Sequence, residues 1–190
     1  MHSVSSAQRG KRSIALVGFR GTGKSHVGRL LAQSLHRPFL DMDIELIRIR
    51  GEDITRWVER EGWASFRTAE SQLLHELAAK PEMVVATGGG IVLDPSNRLV
   101  LRKSFHVIWL QASPETIGRR LSADADTTST LRPALTALPP DEEIRQLLAE
   151  RDPFYGDVAD CVLATDRLSP DDVAARLLTL FPRMDHVAQP

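Results

Sequence analysis

The chain predicts a three-layer α/β domain built on a five-stranded parallel sheet, on three observations. Five short apolar runs alternate with helical patterns, the runs are unbroken, and the first opens onto a glycine-rich turn. Strands covered by helices on both faces are apolar throughout, whereas half-exposed strands alternate. Repeated strand–helix order produces the crossovers that a parallel sheet requires.

The elements follow in order. Residues 1–12 are polar and basic and read as a loose tail, with Arg9, Lys11 and Arg12 a solvated cluster. Ile14–Val17 is the first strand. Val27, Leu30, Leu31 and Leu35 then follow helical spacing. Pro38–Leu40 is the second strand and runs straight into Asp41-Met42-Asp43. Asp41 to Pro81 is mostly helical in pattern, an insertion large enough to cover a substrate. Met83–Ala86 is the third strand, ending in Thr87-Gly88-Gly89-Gly90, and Val107–Leu110 is the fourth. Ser122 to Pro139 is rich in Ala, Asp, Thr, Ser and Pro. A loop this long in a compact domain is usually functional or disordered. Cys161–Ala164 is the fifth strand, with Cys161 expected to be buried and inert. Val173, Leu177, Leu178 and Phe181 mark the last helix, and 183–190 reads as a second tail. Asp94-Pro95, Ser113-Pro114 and Ser169-Pro170 each place an N-cap residue before proline at the first helical position. The expected organisation is therefore one domain over 13–182, with an insertion over about 41–81 and a lid over about 122–139.

Composition narrows the function classes. The 190 residues hold 24 Lys+Arg against 25 Asp+Glu, a net charge of −1, which favours neither nucleic acid nor a membrane surface as partner. Small molecules are the expected partners. No stretch approaches the ~18 apolar residues of a membrane span, and Met1 to Arg12 has no apolar secretory core. A single cysteine excludes an internal disulfide framework, and cytoplasmic localisation is expected. The histidines at 2, 26, 36, 75, 106 and 186 show no metal-ligand spacing. Trp57 and Trp109 read as core.

Gly18-Phe19-Arg20-Gly21-Thr22-Gly23-Lys24-Ser25 fits G-x-x-x-x-G-K-[ST] at every fixed position, between an apolar strand and an amphipathic helix. Such a loop brings backbone N–H groups to phosphates, and the helix N-terminus adds partial positive charge. Lys24 is expected to reach the β- and γ-phosphates, and Ser25 to ligate Mg²⁺. Gly18, Gly21, Thr22, Gly23, Lys24, Ser25 and His26 are the candidate nucleotide-binding positions here. Arg20 occupies a variable position and is read as solvated. The chain lacks the N-K-x-D of a GTPase, and its third strand does not end in the paired acids of a motor. A small-molecule kinase remains.

Ligands of parallel α/β sheets sit at the carboxyl ends of the strands, so Asp41 and Asp43 should face the same crevice as the loop. Strand alternation would turn both carboxylates the same way. One could serve a metal and the other an acceptor hydroxyl; equally, both could cap the next helix.

Phe66-Arg67 with Glu70, Gly88-Gly89-Gly90, Leu131-Arg132-Pro133 and Arg151-Asp152-Pro153-Phe154-Tyr155 complete a pattern. Together with the phosphate loop and the Asp-x-Asp, in this order, it closely resembles the shikimate kinases over about residues 14–182. The resemblance implies a P-loop kinase fold of the nucleoside-monophosphate-kinase type, with a helical substrate-binding insertion and a mobile lid. It implies ATP and Mg²⁺ as cofactors, and phosphorylation of the 3-hydroxyl of shikimate in aromatic amino-acid biosynthesis. It implies that Asp41 holds Mg²⁺ through water with Ser25. Asp43 would bind the acceptor hydroxyls and act as base. Arg67 and Arg151 would clamp the acceptor carboxylate, and the N–H groups of Gly88, Gly89 and Gly90 would meet the acceptor. Lys24 and the lid residue Arg132 would stabilise the transferring phosphate. Arg120 and Pro170 would sandwich the adenine, although Arg119 is a neighbouring alternative.

The physical chemistry agrees. A carboxylate on a hydroxylated ring is best held by planar guanidinium forks, and Glu70, three residues after Arg67, can fix one of them. Two departures from the family pattern stand out. Trp63 replaces a frequent acid and is either pocket wall or core, and Ala134 replaces a frequent leucine in the lid. A monomer is expected. The rivals are a gluconate-kinase-like enzyme and a non-catalytic ligand sensor on the same fold. The paired arginines and glycine triplet argue against the first. Retention of Lys24, Asp41 and Asp43 argues against the second.

Overall fold

The computed structural model describes residues 12–123 and 138–180 of the chain. Among these, five strands form one parallel sheet: β1 (Ser13–Val17), β2 (Phe39–Asp41), β3 (Val84–Ala86), β4 (Phe105–Gln111) and β5 (Cys161–Ala164). Their order across the sheet is β2-β3-β1-β4-β5. Register is continuous across the middle: Leu16 of β1 pairs with Ala86 on one side and Ile108 on the other.

Among the described residues, seven α-helices accompany the strands: α1 (Lys24–Leu35), α2 (Met42–Arg50), α3 (Ile54–Ala78), α4 (Pro95–Ser104), α5 (Pro114–Ala123), α6 (Pro140–Val158) and α7 (Pro170–Leu178). A short 3₁₀ turn, Ile91–Leu93, precedes α4. The proline-led helix starts form as the sequence predicts. Asp94 and Ser169 accept hydrogen bonds from the first turns of α4 and α7, and Ser169 with Asp172 completes a reciprocal capping box.

The sheet separates two apolar layers. Ala15, Val17, Val85, Val107 and Trp109 pack with α2, α3 and α6 on one face, where Trp57 is also buried. Ile14, Leu16, Val84, Ile108 and Leu110 pack with α1 and α7 on the other. The insertion is helical, as expected. Its long helix α3 breaks at Gly62, whose backbone takes φ 81° and ψ 164°.

The edge strands correct one expectation. β1, β3 and nearly all of β4 are buried on both faces, but β5 alternates between half-buried and exposed residues. Val162 is half exposed, and Cys161 is only partly covered rather than buried. An outermost strand lacks a neighbour on one side, and helices cover its faces incompletely. Partial burial and nearby Asp160 still push the Cys161 thiol above its ordinary value, which keeps it protonated and unreactive.

Arg12, placed with the leading tail, donates to the carbonyls of Arg102 and Phe105 and so belongs to the body of the domain. The rest of that tail, residues 124–137 of the expected lid including Arg132 and Ala134, and the 183–190 tail lie outside the described residues.

Candidate active site

The loop after β1 and the first turn of α1 line a cleft of about 780 Å³ at the carboxyl end of the sheet. Gly23 makes the junction, serving as the N-cap of α1 at φ 92°, a conformation that glycine adopts without a Cβ penalty. Thr22 closes the turn by donating to the Phe19 carbonyl at 2.8 Å. Lys24 is buried, its Nζ donating to the carbonyls of Gly18 and Phe19 at 2.8 Å each. Gly21 through His26 line the cleft, with Ser25 and His26 exposed to it.

The far wall comes from Arg120, Leu121, Thr165, Leu168, Pro170 and Val173. Arg120 is fixed there by donating to Gly21 O, Thr165 Oγ1 and Thr165 O at 3.2, 3.0 and 2.8 Å. Arg119 is exposed and does not line the cleft. A wall that combines a planar cation with a proline and apolar side chains is suited to an aromatic base.

The two aspartates are placed differently from each other, which corrects the expectation of strand alternation. β2 ends at Asp41 and α2 begins at Met42. Asp41 caps that helix, its Oδ1 accepting from the N–H groups of Asp43 and Ile44 at 3.0 and 3.3 Å. Its other oxygen accepts from the hydroxyl of Ser25. Asp43 sits in the first helical turn, where the period is no longer two, and lines the cleft. An alcohol and a carboxylate side by side at a helix start are hard oxygen donors, a set that fits Mg²⁺.

The acceptor-side residues converge from four elements. Arg67 of α3 is ion-paired with Glu70 one turn later, at 2.5 Å. Its guanidinium carbon lies 5.2 Å from the Trp63 ring centroid and 5.3 Å from that of Phe66. Trp63 is half-buried, packs edge-on against Phe66 at the margin of the core and lies against the Arg67 guanidinium. Arg151 of α6 is buried and points its Nη1 at the Gly89 carbonyl, 3.4 Å away. Tyr155, one turn further on and fully buried, donates to the same carbonyl at 2.5 Å. Arg151 makes no ion pair with its neighbour Asp152, whose buried Oδ1 has no hydrogen-bond partner among the described residues.

The glycine triplet fits between these groups by close approach. A Cβ on Gly88 would lie 2.1 Å from Glu70 Oε1, and one on Gly90 would lie 2.3 Å from Arg67 Nη2. Any side chain at either position would displace the clamp. Gly88 also borders Asp43, and Gly89 borders the phosphate loop, with its Cβ position 3.4 Å from Arg20 N. Burial raises the Glu70 carboxyl above its ordinary value despite the cations Arg67 and Arg151. Burial likewise lowers the Arg151 guanidinium, and repulsion from Arg67 adds to it. Two cations held this close invite an anion between them.

Arg20 departs from the solvated reading. Its side chain is largely covered and ion-paired with Glu143 in the first turn of α6. The motifs point to neither Glu143 nor Thr165, the residue that fixes Arg120. Both are single polar residues distant in sequence from their partners. Tyr155 belongs to a motif, but its bond to Gly89 has no signature of its own.

Comparison with known proteins agrees with this geometry. The shikimate kinase family model matches residues 20–181. The chain belongs to the shikimate kinase family. A shikimate kinase of Pseudomonas fluorescens is 40% identical over 176 residues, covering 90% of this chain and 99% of its own. Shikimate kinase 2 of Yersinia enterocolitica is 40% identical over 170 residues, covering 90% and 95%. Among solved structures, the shikimate kinase of Acinetobacter baumannii in complex with shikimate superposes with a TM-score of 0.83 at 37% identity, covering 93% of this chain and 96% of that one. The shikimate kinase of Aquifex aeolicus gives 0.71 at 30% identity, covering 88% and 94%. A Sinorhizobium meliloti gluconokinase, at 20% identity and a TM-score of 0.54, shares only the fold.

Proposed function

We propose that the chain transfers the γ-phosphoryl group of ATP to the 3-hydroxyl of shikimate, acting as a monomer in the cytoplasm. Among the described residues, no helix is long and apolar enough to cross a membrane. One observation carries the reading. The glycine triplet borders the phosphate loop at Gly89, Asp43 at Gly88 and Arg67 at Gly90, so one turn of chain lies next to the residues assigned to both substrates.

The roles follow from position. Arg67 and Arg151 hold the acceptor carboxylate, and the Gly88–Gly90 backbone sets the depth of the ring. Asp43, between that turn and the phosphate loop, orients the 3-hydroxyl and takes its proton as the oxygen attacks. Gly18 and Gly21 to His26 hold the phosphates, and Lys24 supplies a cation beneath them. Arg120 and Pro170 hold the adenine. Ser25 and Asp41 are the residues that would hold Mg²⁺, Asp41 through water; when bound, the ion neutralises phosphate charge. Phosphoryl transfer needs chiefly positioning and charge stabilisation, and these groups provide both. Arg132, outside the described residues, is assigned to the transferring phosphate on the family pattern alone.

A coupled ADP-release assay with Mg·ATP tests this. Rapid turnover of shikimate and none of gluconate is expected. Preference for gluconate, or turnover of neither, would contradict the reading.

A further inference from the structure

Arg20 stands at a position that phosphate binding does not prescribe, yet it makes an ion pair spanning 123 residues of sequence. Its partner Glu143 is almost completely buried, with 3% of its side chain exposed, in the first turn of α6. The residue before it in the loop, Phe19, is buried with Ile144, Leu147 and Leu148 of the same helix. Two turns after Glu143, α6 presents Arg151, whose guanidinium carbon lies 5.6 Å from the Phe19 ring centroid; that of Arg20 lies 5.9 Å from it. The loop thus grips α6 twice, by charge at the helix start and by a ring beside the acceptor clamp. A carboxylate in a first turn is already favoured by the helix dipole, so folding of the helix does not require the arginine. Burying an ion pair costs desolvation of both charges and brings little net stability, but it fixes geometry.

We propose that Arg20 and Glu143 are positioning residues: the pair locks the phosphate loop to α6, so that a filled loop holds Arg151 in place for the acceptor carboxylate. The inference rests on the kinase reading above and adds a coupling between its two substrate sites. Coupling of this kind typically changes affinity by about 5–150-fold, and a single ion pair belongs at the low end.

Shikimate affinity is measured by calorimetry with and without a non-hydrolysable Mg·ATP analogue, for wild type, Arg20→Met, Glu143→Gln and the double variant. The wild type should bind shikimate about 5–10-fold tighter with the analogue present. That ratio should fall to about one in each single variant, and the double variant should lose no more than either single one, as expected for two residues acting as a unit. Shikimate affinity without the analogue should stay within about twofold of wild type. The double variant removes both charges of the pair, and it carries the test if a single variant does not fold. A variant with a lower melting temperature but an unchanged ratio would overturn the proposal, as would a wild type with no coupling. If the wild type bound no shikimate at all, the kinase reading itself would fall.

Discussion

The two halves of the cleft are built in opposite ways. The nucleotide half is floored by one continuous stretch, Arg20 to Val27, where backbone N–H groups and a helix start are suited to receive phosphates. The acceptor half is made from side chains on α2, α3 and α6, gathered around three glycines after β3. Backbone donors are supplied by every residue of a loop, so losing one side chain there removes little. A side-chain clamp has no such redundancy: Arg67 is ion-paired to the buried Glu70, and Arg151 is itself buried. Single substitutions should therefore be severe and substrate-specific on the acceptor side, and milder on the nucleotide side.

The largest expected effect is at the junction of the two halves. Asp43→Asn keeps the size of the side chain but removes the base. It should lower kcat by roughly 10²–10⁴-fold, with Mg·ATP affinity near that of wild type. Asp41→Asn should instead raise the Mg²⁺ concentration needed for half-maximal rate. Titrating Mg²⁺ against rate for both variants checks the division of labour. A metal defect in Asp43→Asn and none in Asp41→Asn would reverse the roles.

Next is the adenine wall. Arg120 contributes one stacked cation, of about 0.5–2 kcal/mol. Arg120→Ala should raise KM for ATP by about 3–20-fold and leave shikimate affinity unchanged. Steady-state kinetics with each substrate varied in turn reads the difference. An equal loss for both substrates would blur the contrast between the halves.

The same contrast explains what was legible in the sequence. The phosphate loop, the proline-led helix starts and the apolar central strands are local features, each readable from adjacent residues. The acceptor residues are scattered, and only their order along the chain, matched to a family pattern, brought them together. The Asp-x-Asp is legible in the sequence, but its geometry is not, because the strand ends at Asp41, two residues sooner than alternation to Asp43 requires. Glu143, and the bond from Tyr155 to Gly89, went unread because nothing local marks a contact made across 123 or 66 residues. Partial exposure of Cys161 was missed because strand order, which makes β5 an edge, is not written in an apolar run.

Smaller effects lie in buried carboxylates, and here the halves differ in sign. Burial raises the Glu70 carboxyl, so its contribution to stability is complete below the unfolded value and is lost as pH rises through the folded one. The stability of Glu70→Gln relative to wild type should therefore improve as pH rises from about 5 to about 8, while shikimate binding weakens at both because Arg67 loses its partner. Asp166, beneath the nucleotide wall, accepts from Ser113 N at 2.9 Å, and that bond lowers its carboxyl. Its contribution is present above the unfolded value and is lost as pH falls through the folded one. Asp166→Asn should destabilise by about 0.5–1 kcal/mol at pH 7, and the difference should shrink as the carboxyl becomes protonated at acid pH. Urea unfolding of both variants across pH checks the opposite signs. Parallel pH profiles would show that burial does not distinguish the two sites.

The separability of the halves is tested most directly by calorimetry on Arg151→Ala. The account predicts that shikimate affinity, and with it kcat/KM, falls by about 2–5 kcal/mol, because a buried carboxylate loses half of its fork. Mg·ATP measured alone should bind within about twofold of wild type. Loss of nucleotide affinity with shikimate binding retained would contradict the assignment of Arg151 and the division of the cleft built on it.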